Sequence, residues 1–311
     1  MASRSFADRL SGPRPYLPDV LRLLASGGFG PHHPDGDRVP LLRTGLTPIE
    51  SGQTALTWIG HATYLVRSSE TCVLIDPVWS RRIPGVQPRL TPPGLAFSEL
   101  PPVDAVLISH NHYDHLDAPT VRRLRRDTPV FVPRGLGAWF GRRGFTSVTE
   151  LDWWESAEVA GIDVEFVPAH HWSRRTLWDT CRTLWGGWVI TGENGWRLFH
   201  AGDSGYGEYF AEIGRRHPGI DVAMLPIGCY SPRWFMRSVH MTPEEAVRAA
   251  LDVGAARMAS MHWGTFALSR EPPVEPLVRL RKAWYETGCD PLGLWDLVVG
   301  ETRVLEGDHG R

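Results

Sequence analysis

The feature that most constrains the fold is a histidine-rich hexapeptide that directly follows an apolar run. The run DAVLI has the composition of a buried strand, and after Ser109 the chain continues as HNHYDH, residues 110–115. Extended backbone at a strand end directs residues two apart to the same side, so His110 and His112 can reach one metal ion together. Asp114 and His115 follow as the chain turns, and their diverging side chains can serve a second ion. The segment therefore predicts a metal site at the end of a strand.

A polar loop that is histidine-rich by chance is the alternative interpretation of this segment. The chain has 13 histidines in 311 residues, and three of them fall within one hexapeptide beside an aspartate. Such clustering favours a metal site. Neutral imidazoles with few carboxylates suit zinc better than magnesium or calcium, so zinc is the predicted metal.

Three later apolar runs also end in residues that can bind a metal: VEFVPAHHW, WRLFHAGDSGYG and ARMASMHWG. Because the ends of neighbouring strands meet at one edge of a sheet, these side chains are expected to join the hexapeptide. They are His170 or His171, Asp203 and His262. Asp203 is suited to contact both metals because a carboxylate has two oxygens, whereas an imidazole presents one nitrogen.

Two further residues at strand ends are predicted to support the metal ligands. Asp76 in LIDP is interpreted as an acceptor that orients a ligand histidine, and His61 in GHAT is given the same role. The alternatives are a turn aspartate before proline for Asp76 and a packed histidine for His61.

The order of apolar and helical segments predicts two packed sheets with helices outside, an α/β fold. Short apolar runs begin at residue 54, so residues 1–53 are interpreted as an N-terminal arm and residues 54–311 as one domain. The arm is either an ordered leader that packs on the domain or a flap that faces lipid or forms a homodimer. Helices are predicted at Val20 to Leu24, Ala118 to Arg126, Leu136 to Arg142, Gly207 to Arg216, Pro243 to Val253 and Val274 to Glu286.

Composition narrows the classes of function and location. The net charge of −2 and the pI near 6.7 provide no basic field for nucleic acid, which argues against a nuclease. Four widely spaced cysteines suggest no disulfide framework and fit a reducing cytoplasm. Neither a signal peptide nor about 18 uninterrupted apolar residues is visible, so a cytoplasmic protein without a transmembrane segment is expected.

The pattern H-x-H-x-D-H, followed by a later His, Asp and His, resembles the metallo-β-lactamase superfamily. Longer segments are similar to the N-acyl-phosphatidylethanolamine-hydrolysing phospholipase D family over roughly residues 54–270. They include WIGHATYLV, ELPPVDAVLISHNHYDHLD, HWSRRT, AGDSGY, IGCYSPRWFM, HMTPEEAV and MHWGTFALS. The resemblance implies an αββα sandwich, in which two packed β-sheets are flanked by helices, and two Zn²⁺ ions per chain.

The resemblance also implies roles for individual residues. One zinc ion would be held by His110, His112 and His171, where the HW pair selects His171 over His170. Asp114, His115 and His262 would hold the other, with Asp203 between them. His240 corresponds to a family histidine near the reacting phosphate, and Tyr113 and Arg175 fall in segments that border the same site.

The function implied is hydrolysis of N-acyl-phosphatidylethanolamine to phosphatidate and N-acylethanolamine. A zinc-bound hydroxide would attack phosphorus, Asp114 and Asp203 would hold the metals, and Asp203 would accept the proton of the water. The phospholipid substrate and the 14 tryptophans suggest peripheral contact with the inner face of the membrane, although core packing also explains the tryptophans. The region Ser80 to Gly94 follows the family loosely and the arm does not match it.

Two rival functions use the same residues. A soluble lactonase or small phosphodiesterase would need the same metal site. A non-catalytic zinc-binding protein is the second rival, and the complete ligand set argues against it.

Overall fold

Two seven-stranded sheets packed face to face form the framework of the protein. The computed structural model describes residues 5–12, 17–28, 39–69, 71–192 and 194–305. In spatial order the first sheet consists of β14 (Thr302–Leu305), β1 (Thr54–Gly60), β2 (Thr63–Arg67), β3 (Cys72–Ile75), β4 (Ala105–Leu107), β5 (Val130–Pro133) and β6 (Val148–Leu151). The second consists of β13 (Leu294–Trp295), β12 (Arg257–Met261), β11 (Val222–Pro226), β10 (Arg197–His200), β9 (Gly187–Gly192), β8 (Ile162–Val167) and β7 (Glu155–Val159). The predicted α/β sandwich is confirmed.

The two sheets share one pattern of strand pairing. In the first, β1, β2 and β3 pair antiparallel and β3 to β6 pair parallel. In the second, β7 to β10 pair antiparallel and β10 to β13 pair parallel. Strands β1, β3 and β4 therefore run in one direction within their sheet, as β8, β10, β11 and β12 do in theirs. Their carboxyl ends meet at one edge, which is where the site forms.

Residues that alternate along a strand contribute to two different apolar clusters. Tyr64 and Val66 of β2 belong to the cluster between the sheets, together with Phe166 and Trp188 of the opposite sheet. Leu65 points the other way, into the cluster beneath the helices that cover the first sheet. Burial on both faces explains why these strands are continuous apolar runs.

Helices cover the outer faces of both sheets. They are α1 (Leu17–Ala25), α2 (Ala118–Val121), α3 (Gly137–Gly141), α4 (Tyr209–Arg216), α5 (Arg233–Met236), α6 (Pro243–Asp252) and α7 (Glu275–Glu286). Short 3-10 turns occur at Ala7–Arg9, Phe97–Glu99 and Pro291–Gly293. Helix α6 begins as predicted, because Thr242 and Glu245 form a capping box.

The helix predicted from Ala118 to Arg126 is shorter in the structure and ends at Val121. The guanidinium of Arg126 donates to the carbonyl oxygens of Val121, Leu124 and Arg122. The backbone amides that follow donate three residues back rather than four, as the N–H of Leu124 does to the carbonyl of Val121, so the α-helix ends here.

The described parts of the arm contact the domain. Phe6 is 2% exposed and its backbone N–H donates to the carbonyl of Cys181. Leu23 of α1 is buried, and Arg270 donates to the carbonyl of Gly28 at 2.7 Å. The boundary after residue 53 stays a prediction. Within the described ranges no helix is long and apolar enough to cross a membrane.

Candidate metal centre

Strand ends from both sheets bring the predicted site residues to one edge of the sandwich. Asp76 follows β3, the histidine-rich loop follows β4, Asp203 follows β10 and His262 follows β12. A bridge between His170 and Gly205 joins the chain after β8 to the loop that carries Asp203. Asp76 and His262, which are 186 positions apart in sequence, therefore reach the same edge of the sandwich.

The first group of potential ligands contains His110, His112, His171 and Asp203. One donor atom of each lies within 4.8 Å of the others. Nε2 of His110 lies 3.8 Å and Nε2 of His171 lies 3.7 Å from Oδ2 of Asp203. The structure thus brings His171 into the group, whereas the ring of His170 packs against Tyr209.

The second group contains His61, Asp114, His115 and His262, again with donor atoms within 4.8 Å of one another. Nε2 of His262 lies 3.4 Å from Oδ2 of Asp114. Asp203 reaches this group as well, with Oδ1 3.1 Å from Nε2 of His262 and Oδ2 3.2 Å from Nε2 of His115. One carboxylate therefore touches both groups.

Several donor atoms at this edge are buried without a hydrogen-bond partner among the described residues. They include Nε2 of His110, His115 and His262 and Oδ1 of Asp203. Buried polar atoms are normally paired, and an unpaired one costs free energy. Their convergence at one point, with nitrogen donors in the majority, fits bound metal ions of the zinc type.

The electrostatics of the two groups differ. Burial lowers the pKa of His171 to about 4, so its imidazole is neutral at pH 7 and carries a lone pair for a cation. Burial acts in the same direction on His262, but the carboxylates of Asp203 and Asp114 outweigh it and raise its pKa to about 9. The same two carboxylates raise the pKa of His115. Negative charge thus accumulates at the second group, where a cation can neutralise it.

Asp76 anchors two ligand histidines through a buried network. It is fully buried, and its carboxylate accepts hydrogen bonds from the Ser109 N–H at 2.7 Å and the Ser109 hydroxyl at 2.5 Å. Its Oδ2 also lies 2.7 Å from Nδ1 of His115. Ser109 in turn lies 3.0 Å from Nδ1 of His110. These contacts suit the predicted orienting role of Asp76, because they direct Nε2 of both histidines toward Asp203.

The His61 side chain hydrogen-bonds to a carboxylate, and its ring lies 4.1 Å from that of His262, centroid to centroid. Its Nε2 lies 3.0 Å from Oδ2 of Asp114, so its ring is close to the donor atoms of the second group. The orienting role expected for His61 would therefore act on Asp114.

Tyr113 and Arg175 contact or belong to the histidine-rich loop, and His240 lies beside His171 and His262. The His240 ring lies 5.2 Å from that of His171 and 5.4 Å from that of His262, centroid to centroid. The Tyr113 hydroxyl donates to the carbonyl of Arg175 at 2.7 Å. Nη1 of Arg175 donates to the carbonyls of Asn111 at 2.9 Å and Leu116 at 2.6 Å, so this residue supports the loop directly. Substrate binding by these three residues stays a prediction.

Two residues near the site were not singled out from the sequence. Ser109 links Asp76 to His110, and its position directly before the hexapeptide could have indicated this role. Cys229 follows β11, and its thiol lies within 4.8 Å of nitrogens of His240 and His262. The strand-end argument that selected Asp203 and His262 applies equally to Cys229.

Comparison with known proteins assigns the family. Residues 71–263 match the model of the β-lactamase superfamily domain. An uncharacterized protein of Mycobacterium tuberculosis is 42% identical over 257 residues, covering 79% of this chain and 68% of the other. N-acyl-phosphatidylethanolamine-hydrolyzing phospholipase D 1 of Caenorhabditis elegans is 39% identical over 251 residues, which cover 75% of this chain and 70% of that protein.

Solved structures support the same fold. Igni18, a metallo hydrolase from Ignicoccus hospitalis, superposes on this chain with a TM-score of 0.63 at 23% identity. The superposed region covers 82% of this chain and 99% of Igni18. The strand topology, the two groups of histidines and aspartates and these similarities agree with one another. The chain belongs to the metallo-β-lactamase superfamily and, within it, to the family that includes the N-acyl-phosphatidylethanolamine-hydrolyzing phospholipase D of Caenorhabditis elegans.

Proposed function

We propose that the protein is a dinuclear zinc phosphodiesterase that cleaves N-acyl-phosphatidylethanolamine-type glycerophospholipids to phosphatidate and N-acylethanolamine. The observation that carries this proposal is the Asp203 carboxylate, which lies 3.1 to 3.8 Å from histidines of both ligand groups. The name of the Caenorhabditis elegans relative supports the substrate class.

The proposed roles follow from the contacts of each side chain. His110, His112 and His171 would hold one ion, Asp114, His115 and His262 the other, and Asp203 both. When bound, two zinc ions supply a nucleophilic oxygen at neutral pH and screen the charge that develops on the phosphoryl group. Asp203 would also accept a proton from the attacking water through one of its carboxylate oxygens. His240 would face a phosphate oxygen of the bound lipid.

The proposal is tested by following the isotope of the water through the reaction. Purified protein loaded with zinc is incubated with vesicles containing N-acyl-phosphatidylethanolamine in oxygen-18 water, and both products are analysed by mass spectrometry. We expect label in phosphatidate and none in the N-acylethanolamine, because water adds to phosphorus. The chelator-treated protein provides the background rate.

A parallel incubation with acyl lactones tests the main rival. Rapid lactone opening with no turnover of the phospholipid would contradict the proposal in favour of a soluble lactonase. Hydrolysis of soluble phosphodiesters alone would favour a small-molecule phosphodiesterase.

Contact with a lipid surface is the second part of the proposed function. Leu177 and Trp178 are 75% and 83% exposed and follow the segment that carries His171 and Arg175. Large apolar side chains exposed next to a candidate lipid site suit insertion into a bilayer surface. Trp185, Trp188 and Trp263, by contrast, are buried in the core, so most of the tryptophans near the site serve packing.

Replacing Trp178 by alanine is therefore expected to weaken binding to phosphatidylethanolamine–phosphatidylglycerol vesicles. Burying a large apolar side chain contributes about 1.5–3 kcal/mol, which corresponds to roughly 10- to 100-fold in partition. Co-sedimentation measures the effect. Tyr285, which is equally exposed but lies at the far end of α7, provides the control, and equal losses from Trp178→Ala and Tyr285→Ala would contradict the contact surface.

A further inference from the structure

A third set of potential metal ligands lies beside the two groups described above. Cys229 follows β11 and His262 follows β12, and these strands are parallel neighbours, so the two residues emerge side by side. A Cβ on Gly228 would lie 2.2 Å from the carbonyl oxygen of His262, which shows how closely the two turns pack. Helix α5 then returns the chain to His240. The thiol of Cys229 and one ring nitrogen each of His240 and His262 lie within 4.8 Å of one another.

The nitrogens of this set lack other partners. Nδ1 of His240 and both ring nitrogens of His262 are buried without a hydrogen-bond partner among the residues that the structure describes. His240 and Cys229 are each 7% exposed and His262 is 3% exposed. Because Nε2 of His262 faces Asp203 at 3.1 Å, its Nδ1 remains for a second interaction. Unpaired buried nitrogens next to a thiol are the donors that a thiophilic cation requires.

The surroundings provide space and negative charge for an ion. A cavity of about 30 Å³ adjoins two of the three residues: it is lined by Cys229 and His262 together with Phe266, Leu268 and Glu271, whereas His240 does not line it. A volume of this size holds an ion or a water molecule. The carboxylate of Glu271 accepts hydrogen bonds from the N–H groups of Cys229 and Ser231, so it both fixes the turn and adds a negative charge beside it.

We propose that Cys229, His240 and His262 form a third cation site, which takes a thiophilic ion such as zinc in excess or cadmium. On binding, a metal–sulfur bond replaces the S–H bond of Cys229. A metal–nitrogen bond to Nδ1 of His262 replaces the N–H bond that this imidazole keeps while its Nε2 serves the second ligand group, and both protons pass to solvent. The ion would draw His240 away from the substrate and share His262 with the second ligand group. Its occupation would therefore inhibit hydrolysis.

The first test is spectroscopic and does not depend on the proposed function. Cadmium is titrated into the zinc-loaded protein while the ultraviolet charge-transfer band of a cadmium–thiolate bond is recorded. We expect one saturating band in the wild type and in Cys289→Ala, whose cysteine is partly exposed and distant in sequence from the site. The band should be absent in Cys229→Ala and in Cys229→Ser, which preserves the size of the side chain.

The affinity for cadmium should also depend on His240. Loss of a residue that only hydrogen-bonds to a metal ligand lowers metal affinity by about 10–100-fold. Because His240 is proposed as a direct ligand, His240→Ala should weaken cadmium binding by at least about 10-fold. A band that persists in Cys229→Ala, or one that is absent from the folded wild type, would overturn the third site. Cadmium affinity unchanged in His240→Ala would remove that residue from it.

The second test rests on the proposed function. Excess zinc should inhibit wild-type hydrolysis, whereas Cys229→Ala should keep the wild-type rate at stoichiometric zinc and resist the inhibition. Equal inhibition of both proteins would contradict the regulatory consequence. If the wild type shows the cadmium band but hydrolyses no phospholipid, the proposed function fails and the third site stands.

Discussion

Replacing Asp203 by asparagine is expected to lower kcat/KM for the phosphodiester by about 10²–10⁴-fold, the range for loss of a group that takes up a proton in the reaction. The Asp203 carboxylate lies 3.1 Å from Nε2 of His262 and 3.7 Å from Nε2 of His171. Asparagine has nearly the same shape, but it lacks the negative charge and the second oxygen. Steady-state hydrolysis of vesicle-bound substrate measures the effect, and metal analysis of each protein shows whether ions were lost.

A matched substitution separates this effect from a general loss of carboxylate charge. Asp163 lies on β8 of the same sheet with an exposed side chain, so Asp163→Asn should retain wild-type kcat/KM. An Asp203→Asn protein with wild-type metal content and wild-type kcat/KM would be incompatible with the proposed role of this carboxylate.

The second large effect is expected in the stability of the fold. Changing Asp76 to alanine should lower the free energy of unfolding by about 3–5 kcal/mol, because removing one member of a buried charged pair leaves its partners unsatisfied. The groups that would lose their carboxylate partner are the N–H and hydroxyl of Ser109 and Nδ1 of His115. Zinc affinity should fall by about 10–100-fold as His115 loses its orientation. Denaturant unfolding of the metal-free protein and competition with a chelator measure the two quantities.

An exposed carboxylate provides the control for Asp76. Asp127 pairs with Arg125 at the surface, so Asp127→Ala should leave both the unfolding midpoint and the zinc affinity at wild-type values. If Asp76→Ala unfolds at the wild-type denaturant concentration and binds zinc normally, the buried network does not have the orienting role that its hydrogen bonds suggest.

Local patterns were sufficient to predict the strands that are buried on both faces. Runs such as CVLI and VAMLP are continuous and apolar, because β3 and β11 are covered on both sides. The polar strands β6 and β7 do not stand out as apolar runs, since VTEL and ESAEV lie at sheet edges and carry side chains that face solvent. The two-residue β13 and the C-terminal β14 are likewise recognisable only from their neighbours, which supply their hydrogen bonds.

The candidate centre could be predicted from the sequence because its largest part is local. His110, His112, Asp114 and His115 come from one short loop, and the order of apolar runs was enough to predict the two-sheet fold behind it. The remaining features depend on which strands become neighbours. The bridge between His170 and Gly205 brings His171 to Asp203, and the pairing of β11 with β12 brings Cys229 to His262. Contacts between residues so far apart in sequence form only when the strands pair into sheets, because no local preference of the backbone encodes them.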